Sequence, residues 1–182
     1  MATNTMNKKM KTILVLFVFF ILASCSKEPA PFKDGMYLNY RQIDGVVSYF
    51  FKIAAIGNKG YKIIETQTRG PILPDDVEEM FVDIYGVVYK SSFEPYEGKF
   101  SPIWIPVNKF KVGDTVNRNY HVVRKDRWKQ WEVLVLEGSL GGEYYYDLKT
   151  GFHVGTSGRR FEAVLVDTNA PVATDNGIKQ FE

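Results

Sequence analysis

Three observations predict an all-β fold, an antiparallel meander of about eight to ten strands forming a barrel, half-barrel or sandwich. From Tyr37 onward, Val, Ile, Tyr, Phe and Thr come in short runs punctuated by Gly, which is strand composition. Helical periodicity is nearly absent. Several strands are also apolar on both faces, whereas a single sheet with one wet face alternates apolar and polar residues. With almost no helix to cover it, the second apolar face must meet another sheet, an apolar ligand or a partner.

The elements follow in order. Residues 37–43 and 46–55 form a hairpin across Asp44-Gly45, a dipeptide that supplies the positive φ angles of a type I′ turn. One face of 46–55 carries Val46, Phe50 and Ala54, and the other carries Val47, Tyr49, Phe51, Ile53 and Ala55. A turn at Gly57-Asn58-Lys59-Gly60 leads to a strand over 61–67. Pro74 to Glu79 reads as one turn of helix, because acids favour a helix N-terminus, although it is too short to cover a sheet. Further strands are expected at 79–85, 87–91, 103–106, 115–125, 130–137, 143–148, 152–157 and 161–167. In 131–136, Trp131, Val133 and Val135 oppose Leu134 and Leu136. Connections this short favour antiparallel neighbours. Residues 169–182 are polar with Pro and Gly, and read as a flexible tail.

The chain has 182 residues, 45% hydrophobic and 15% aromatic, with 23 basic and 21 acidic side chains. That suits one folded domain. Three of the lysines, Lys8, Lys9 and Lys11, precede an apolar run over residues 12–22 (TILVLFVFFIL), the layout of a secretory signal peptide. The run is too short for a membrane span, which needs roughly 20 apolar residues. Without this segment the chain carries 20 basic against 21 acidic residues, so a nucleic-acid partner is not expected.

Leu22-Ala23-Ser24-Cys25 ends the apolar run and contains the one cysteine of the chain, which cannot form an internal disulfide. These four residues resemble the lipobox of bacterial lipoproteins: an aliphatic residue, two small residues and the cysteine. The resemblance implies cleavage of the Ser24–Cys25 bond, lipidation of the Cys25 thiol, usually acylation of the new amino terminus, and permanent attachment to the membrane. The alternative is an ordinary signal peptide that happens to end in a buried cysteine. The expected division is a signal peptide over 1–24, lipidated cysteine and linker over 25–34, and a β-domain over 35–168. Pro29 and Pro31 favour an extended spacer of roughly 25 Å over residues 26–33. Ser26 after the cysteine resembles the sorting pattern for the outer membrane.

Trp104-Ile105-Pro106, Phe110-Lys111-Val112-Gly113-Asp114, a Trp-containing strand and then Tyr144 to Gly151 (YYYDLKTG) form a layout similar to that of uncharacterised bacterial envelope proteins. Some of these are similar to the lipoprotein-carrier superfamily, which implies an open half-barrel over an apolar cavity. The plugging helices usual in that superfamily are not evident here.

No catalytic set is visible. His121 and His153 read as ordinary strand histidines, and no metal or cofactor is expected. Ser157 lacks the frame of a nucleophile elbow and reads as part of a loop. The Gly-rich stretch 138–142 precedes no helix and reads as a hairpin loop. Asp75, Asp76, Glu78 and Glu79 read as a solvated turn, and Arg124, Lys125, Arg127 and Lys129 beside Trp128 as a charged hairpin tip. The expected function is non-enzymatic binding of an apolar ligand or lipid, with Phe50, Phe51, Trp131 and Val133 lining the cavity. The alternative is an accessory lipoprotein docking on another envelope protein through Tyr96, Phe100 and Trp104. An enzyme is the third possibility, which would need a concave site holding converging acids and one of the histidines.

Overall fold

The protein is described here from a computed structural model covering residues 28–70, 75–92, 97–158 and 162–172. Its strands are β1 (Tyr37–Gln42), β2 (Ser48–Ala55), β3 (Tyr61–Thr68), β4 (Asp76–Val82), β5 (Val88–Ser91), β6 (Thr115–Val116), β7 (Tyr120–Trp128), β8 (Trp131–Gly138), β9 (Gly142–Asp147), β10 (His153–Gly158) and β11 (Glu162–Thr168). They form one sheet in the order β5-β4-β3-β2-β1-β11-β10-β9-β8-β7-β6. Neighbours in this sheet run antiparallel. The all-β meander is therefore as expected. The sheet stays open, with β5 and β6 as its edges. Pairing of β1 with β11 joins two arms, each a local meander, at the centre of the sheet.

Two apolar clusters explain the two apolar faces of β8, whereas on β2 the face of Phe50 and Ala54 joins neither cluster, and Val46 and Phe50 are exposed instead of covered. Leu38, Phe51, Ile53, Ile63, Met80 and Val82 of the first arm share one cluster with Ile103, Trp104, Phe152 and Val154. On β8, Trp131, Val133 and Val135 belong to that larger cluster, while Leu134 and Leu136 join a second one with Ile105, Val116, Val122 and Tyr146. Each side chain removed from water in this way contributes about 1.5–3 kcal/mol. Trp128 stacks on Tyr145 at 4.4 Å and on Trp131 at 5.9 Å. Its indole fills the space left by Gly155, where an added Cβ would lie 2.2 Å from the ring.

The segment after β5 crosses between the arms. Phe100 bridges to Val87 and Trp104 to Phe152. The His153 amide donates to the Ile103 carbonyl at 3.0 Å, and the Ile105 amide to the Gly151 carbonyl at 3.0 Å. The Trp104 indole donates to the Thr150 carbonyl at 2.9 Å. The β9–β10 turn that receives this segment is held by the buried Asp147 carboxylate, which accepts from the Thr150 amide and hydroxyl. Gly151 is required there: its φ is +77°, and a Cβ would fall 2.1 Å from the Ile105 carbonyl oxygen. Two parts of the layout noted in the sequence, Trp104-Ile105-Pro106 and the end of Tyr144 to Gly151, thus pack against each other.

Several local expectations are corrected. Asp76 to Val82 is strand rather than helix, because each residue there has a partner on β3 that supplies the ladder bonds; Pro74 lies outside the described residues. The β1–β2 loop is not a type I′ turn, since Gly45 has a φ of +72° but Asp44 is not in the left-handed region. The chain instead closes at Gln42 and Val47, and the Asp44 carboxylate accepts from the Val46 amide at 3.1 Å. The expected strand at 103–106 makes a single bridge. The stretch at 115–125 is split, because Asn117 and Arg118 take left-handed φ values of 53° and 66°. Ser157 lies in β10, as the strand expected over 152–157 has it and not in a loop, and the strand continues to Gly158.

The linker and tail also contribute to the folded unit. Ala30 donates to the Ile84 carbonyl at 2.7 Å, and Phe32 is buried against Tyr61, Trp104 and Phe152. Asn169 accepts from the Tyr37 amide at 2.8 Å, and Ala170 and Val172 are buried. Both segments carry apolar residues that gain more from burial than an extended, solvated chain gains from freedom.

Candidate functional site

A cavity of about 320 Å³ lies between the arms. Tyr40 of β1, Tyr49 and Phe51 of β2 and Glu65 of β3 form one side. Tyr144 and Tyr146 of β9 and His153 and Thr156 of β10 face them, while Pro102, Ile103, Asn117 and Tyr120 complete the wall. The side chains arrive there for identifiable reasons. Phe51 lies directly opposite Glu65 across the β2–β3 ladder, and Tyr40 opposite Tyr49 across β1–β2. In β10 a register shift between His153 and Gly155 sets His153 opposite Tyr146, and Thr156 opposite Tyr144. Without that bulge, strict alternation would place His153 and Thr156 on different faces. Asn117 ties the crossing segment to this rim by accepting from the Phe100 amide at 2.8 Å and donating to the Phe100 carbonyl at 3.0 Å.

The rings are oriented by backbone acceptors. The Tyr40 hydroxyl donates to the His153 carbonyl at 2.8 Å, and the Tyr146 hydroxyl to the Pro102 carbonyl at 3.1 Å. Tyr40 and Tyr146 each have their ring centroid 5.2 Å from that of His153, and Tyr144 lies at 6.3 Å. Tyr120 meets Tyr144 edge-to-face at 4.9 Å. The cavity is thus walled largely by aromatic surface.

Two titratable groups stand out. Burial, and then the Glu78 carboxylate directly opposite on β4, raise the Glu65 carboxyl to about 7. Among the described residues Glu65 makes no ion pair. Burial lowers His153 to about 4, against a smaller opposing effect of its hydrogen bond to the Gly155 backbone. Its Nε2 is buried with no partner among the described residues. At neutral pH the imidazole is therefore uncharged. Desolvation also raises Tyr40 well above the ordinary tyrosine value, with smaller effects of Tyr146 and Glu65.

Of the four residues expected to line a cavity, only Phe51 does so. Phe50 points the other way, is partly exposed and stacks on Tyr37 at 5.8 Å. Trp131 and Val133 are fully enclosed in the larger cluster beneath Trp128 and Tyr145. Of the residues named for a docking patch, Trp104 is buried and Phe100 half-buried, and Tyr96 lies outside the described residues. Ser24 and Cys25 also lie outside them. Two of the four cations of the basic hairpin are paired: Arg124 with Glu143 and Asp126, and Lys129 with Glu162 at 3.0 Å, where it also lies over Trp128. His121 is exposed and bonds Thr115. The acids of β4 diverge, with Glu79 pairing Lys62 and Asp76 pairing Arg69. Among the described residues no group of acids, histidines or cysteines is arranged to hold a metal, and no helix is long and apolar enough to cross a membrane.

Sequence reasoning missed Glu65, His153 and the tyrosines. The available signal was Glu65 in Lys62 to Thr68: it shares its side of β3 with Ile63, an acid in an inward-facing position. No family model, no curated protein and no solved structure matches the chain.

Proposed function

We propose that the protein is a non-enzymatic lipoprotein of the bacterial cell envelope, anchored through Cys25, whose β-domain binds a small, largely apolar ligand. The supporting observation is the aromatic cavity between the two arms. Its volume of about 320 Å³ stands at the low end of the roughly 300–1,000 Å³ of ligand pockets. That favours a single ring or a short chain over a two-chain lipid. The lipobox-like residues carry the anchoring, and Ser26 favours the outer membrane. Because the fold begins by Ala30, the five residues from Cys25 span at most about 18 Å. The domain then stands close to the membrane surface, nearer than an eight-residue spacer allows.

Two measurements test this reading. Cells fed an alkyne-bearing fatty acid are expected to label the full chain, and Cys25→Ser is expected to lose both the label and the membrane association. A labelled Cys25→Ser protein would sink the anchor. Native mass spectrometry of the chain, extracted gently from a bacterial envelope in nonionic detergent, is expected to show a bound small molecule. Its expected absence in Ala163→Phe, which fills the cavity from β11, locates it. A wild-type chain that is consistently apo would sink the ligand reading.

A second reading draws on Glu65 and His153, a carboxyl titrating at about 7 across the cavity from a neutral imidazole with a free Nε2. Such groups perform general acid–base catalysis when a substrate places its proton between them. Binding is preferred because the walls are mostly aromatic and the two groups share no hydrogen bond.

A further inference from the structure

The walls and the charge of the cavity together narrow its ligand. Tyrosine faces attract cations held within about 6 Å of the ring centre, and they do so best where water is excluded. Tyr40, Tyr144 and Tyr146 surround the His153 ring, and the hydroxyls of Tyr40 and Tyr146 are committed to backbone carbonyls. The cavity lining contains one acid, Glu65, and neither lysine nor arginine. Glu78 adds negative potential from the adjacent strand. A neutral apolar ligand would meet Glu65 in its protonated form and gain nothing from its charge, whereas a cation is attracted by the ionised carboxylate and an anion is repelled by it.

We propose that this cavity binds an organic ammonium ion, a small quaternary or methylated amine whose charged head sits among the tyrosine rings with Glu65 as its counter-ion. The inference rests on the cavity being a ligand site and names the class of ligand. Such a head comes either as a free amine or as part of a phosphocholine-type lipid headgroup. Cation binding needs Glu65 ionised, so it is linked to proton release. The titratable groups that face Glu65 are Glu78 directly opposite on β4 and, around the cavity, Tyr40 on β1, Tyr49 on β2, Tyr120 on β7, Tyr144 and Tyr146 on β9 and His153 on β10. Of these, Tyr40 is pushed up and His153 down, so neither changes charge near pH 7.

The test is calorimetric titration of the full chain in a nonionic detergent with choline, with its neutral isostere 3,3-dimethylbutan-1-ol, and with glycerophosphocholine. Choline is expected to bind at least about tenfold more tightly than the alcohol. Its affinity is expected to fall about tenfold per pH unit below pH 7 and to level off above it. Glu65→Gln is expected to weaken choline at least about tenfold and to leave the alcohol unchanged. The comparison of choline with the alcohol, and the pH profile, use the wild-type chain, so they stand even where the variant folds poorly. Glycerophosphocholine binding more tightly than choline assigns the head to a lipid, and the reverse order to a free amine. If the alcohol binds as tightly as choline, the cation is overturned while the ligand site stands. If neither binds and native mass spectrometry finds another bound molecule, the cation is again overturned alone. If neither binds and the chain is apo, both are overturned.

Discussion

Trp131→Ala is expected to destabilise the domain by about 3–5 kcal/mol, the cost of deleting a fully enclosed large aromatic side chain. That is a large share of the roughly 5–15 kcal/mol that holds a domain folded. The indole sits beneath Trp128 in the larger cluster, away from the cavity, so the surviving folded fraction should bind the cavity ligand with unchanged affinity. Its Nε1–H is buried with no acceptor among the described residues. Trp131→Phe removes that unpaired donor and keeps most of the contact, so it should cost less than about 1.5 kcal/mol. Urea unfolding of the variants measures both effects. A Trp131→Ala domain of wild-type stability that had lost its ligand would restore Trp131 to the cavity wall.

Two opposing pH dependences are expected in the cavity, each concealing the other. Glu65 holds its proton more tightly when folded than when unfolded, at about 7 against 4.5. Its contribution to stability is therefore complete below about pH 4.5 and is lost as the pH rises through 7. His153 holds its proton less tightly when folded, at about 4 against 6.5. Its contribution is complete above about pH 6.5 and is lost as the pH falls through 4. Between pH 4.5 and 6.5 the two slopes oppose each other at about 1.4 kcal/mol per unit each. Glu65→Gln should uncover a domain that weakens on acidification, by about 2–3 kcal/mol from pH 6.5 to 4. His153→Asn, which keeps a donor for the Gly155 backbone, should uncover one that weakens by a similar amount as the pH rises from 4.5 to 7. Denaturant midpoints across pH for both variants and for the double variant give the slopes and their coupling. Parallel profiles for wild type and both single variants would show that neither group is desolvated.

Where the sequence reading succeeded, the signal was local. Short Val, Ile and Tyr runs between glycines identified the strands, and Trp131 to Leu136 announced a strand buried on both sides. The acid-rich start of β4 misled because Asp75 to Glu79 suits a helix N-terminus locally, while the β3 ladder overrides that preference. Phe32 was read within a linker because Pro29 and Pro31 dominate its surroundings, yet the ring enters the core. Phe50 and Phe51 were correctly separated onto opposite faces of β2. Nothing local told which face would look into the cavity.

The sequence by itself determined the all-β class and most strand positions, because alternation, turn residues and β-propensity act between neighbours along the chain. It also carried the lipobox resemblance, which is a matter of four adjacent residues. Only the tertiary structure decided where space would remain between the arms. Glu65 and His153 share a cavity because β1 pairs with β11, which sets the first arm beside the second, and because one bulge in β10 keeps His153 and Thr156 on the same face. Pairings between distant strands depend on the summed packing of both arms, and a shift of one residue reverses every side chain that follows.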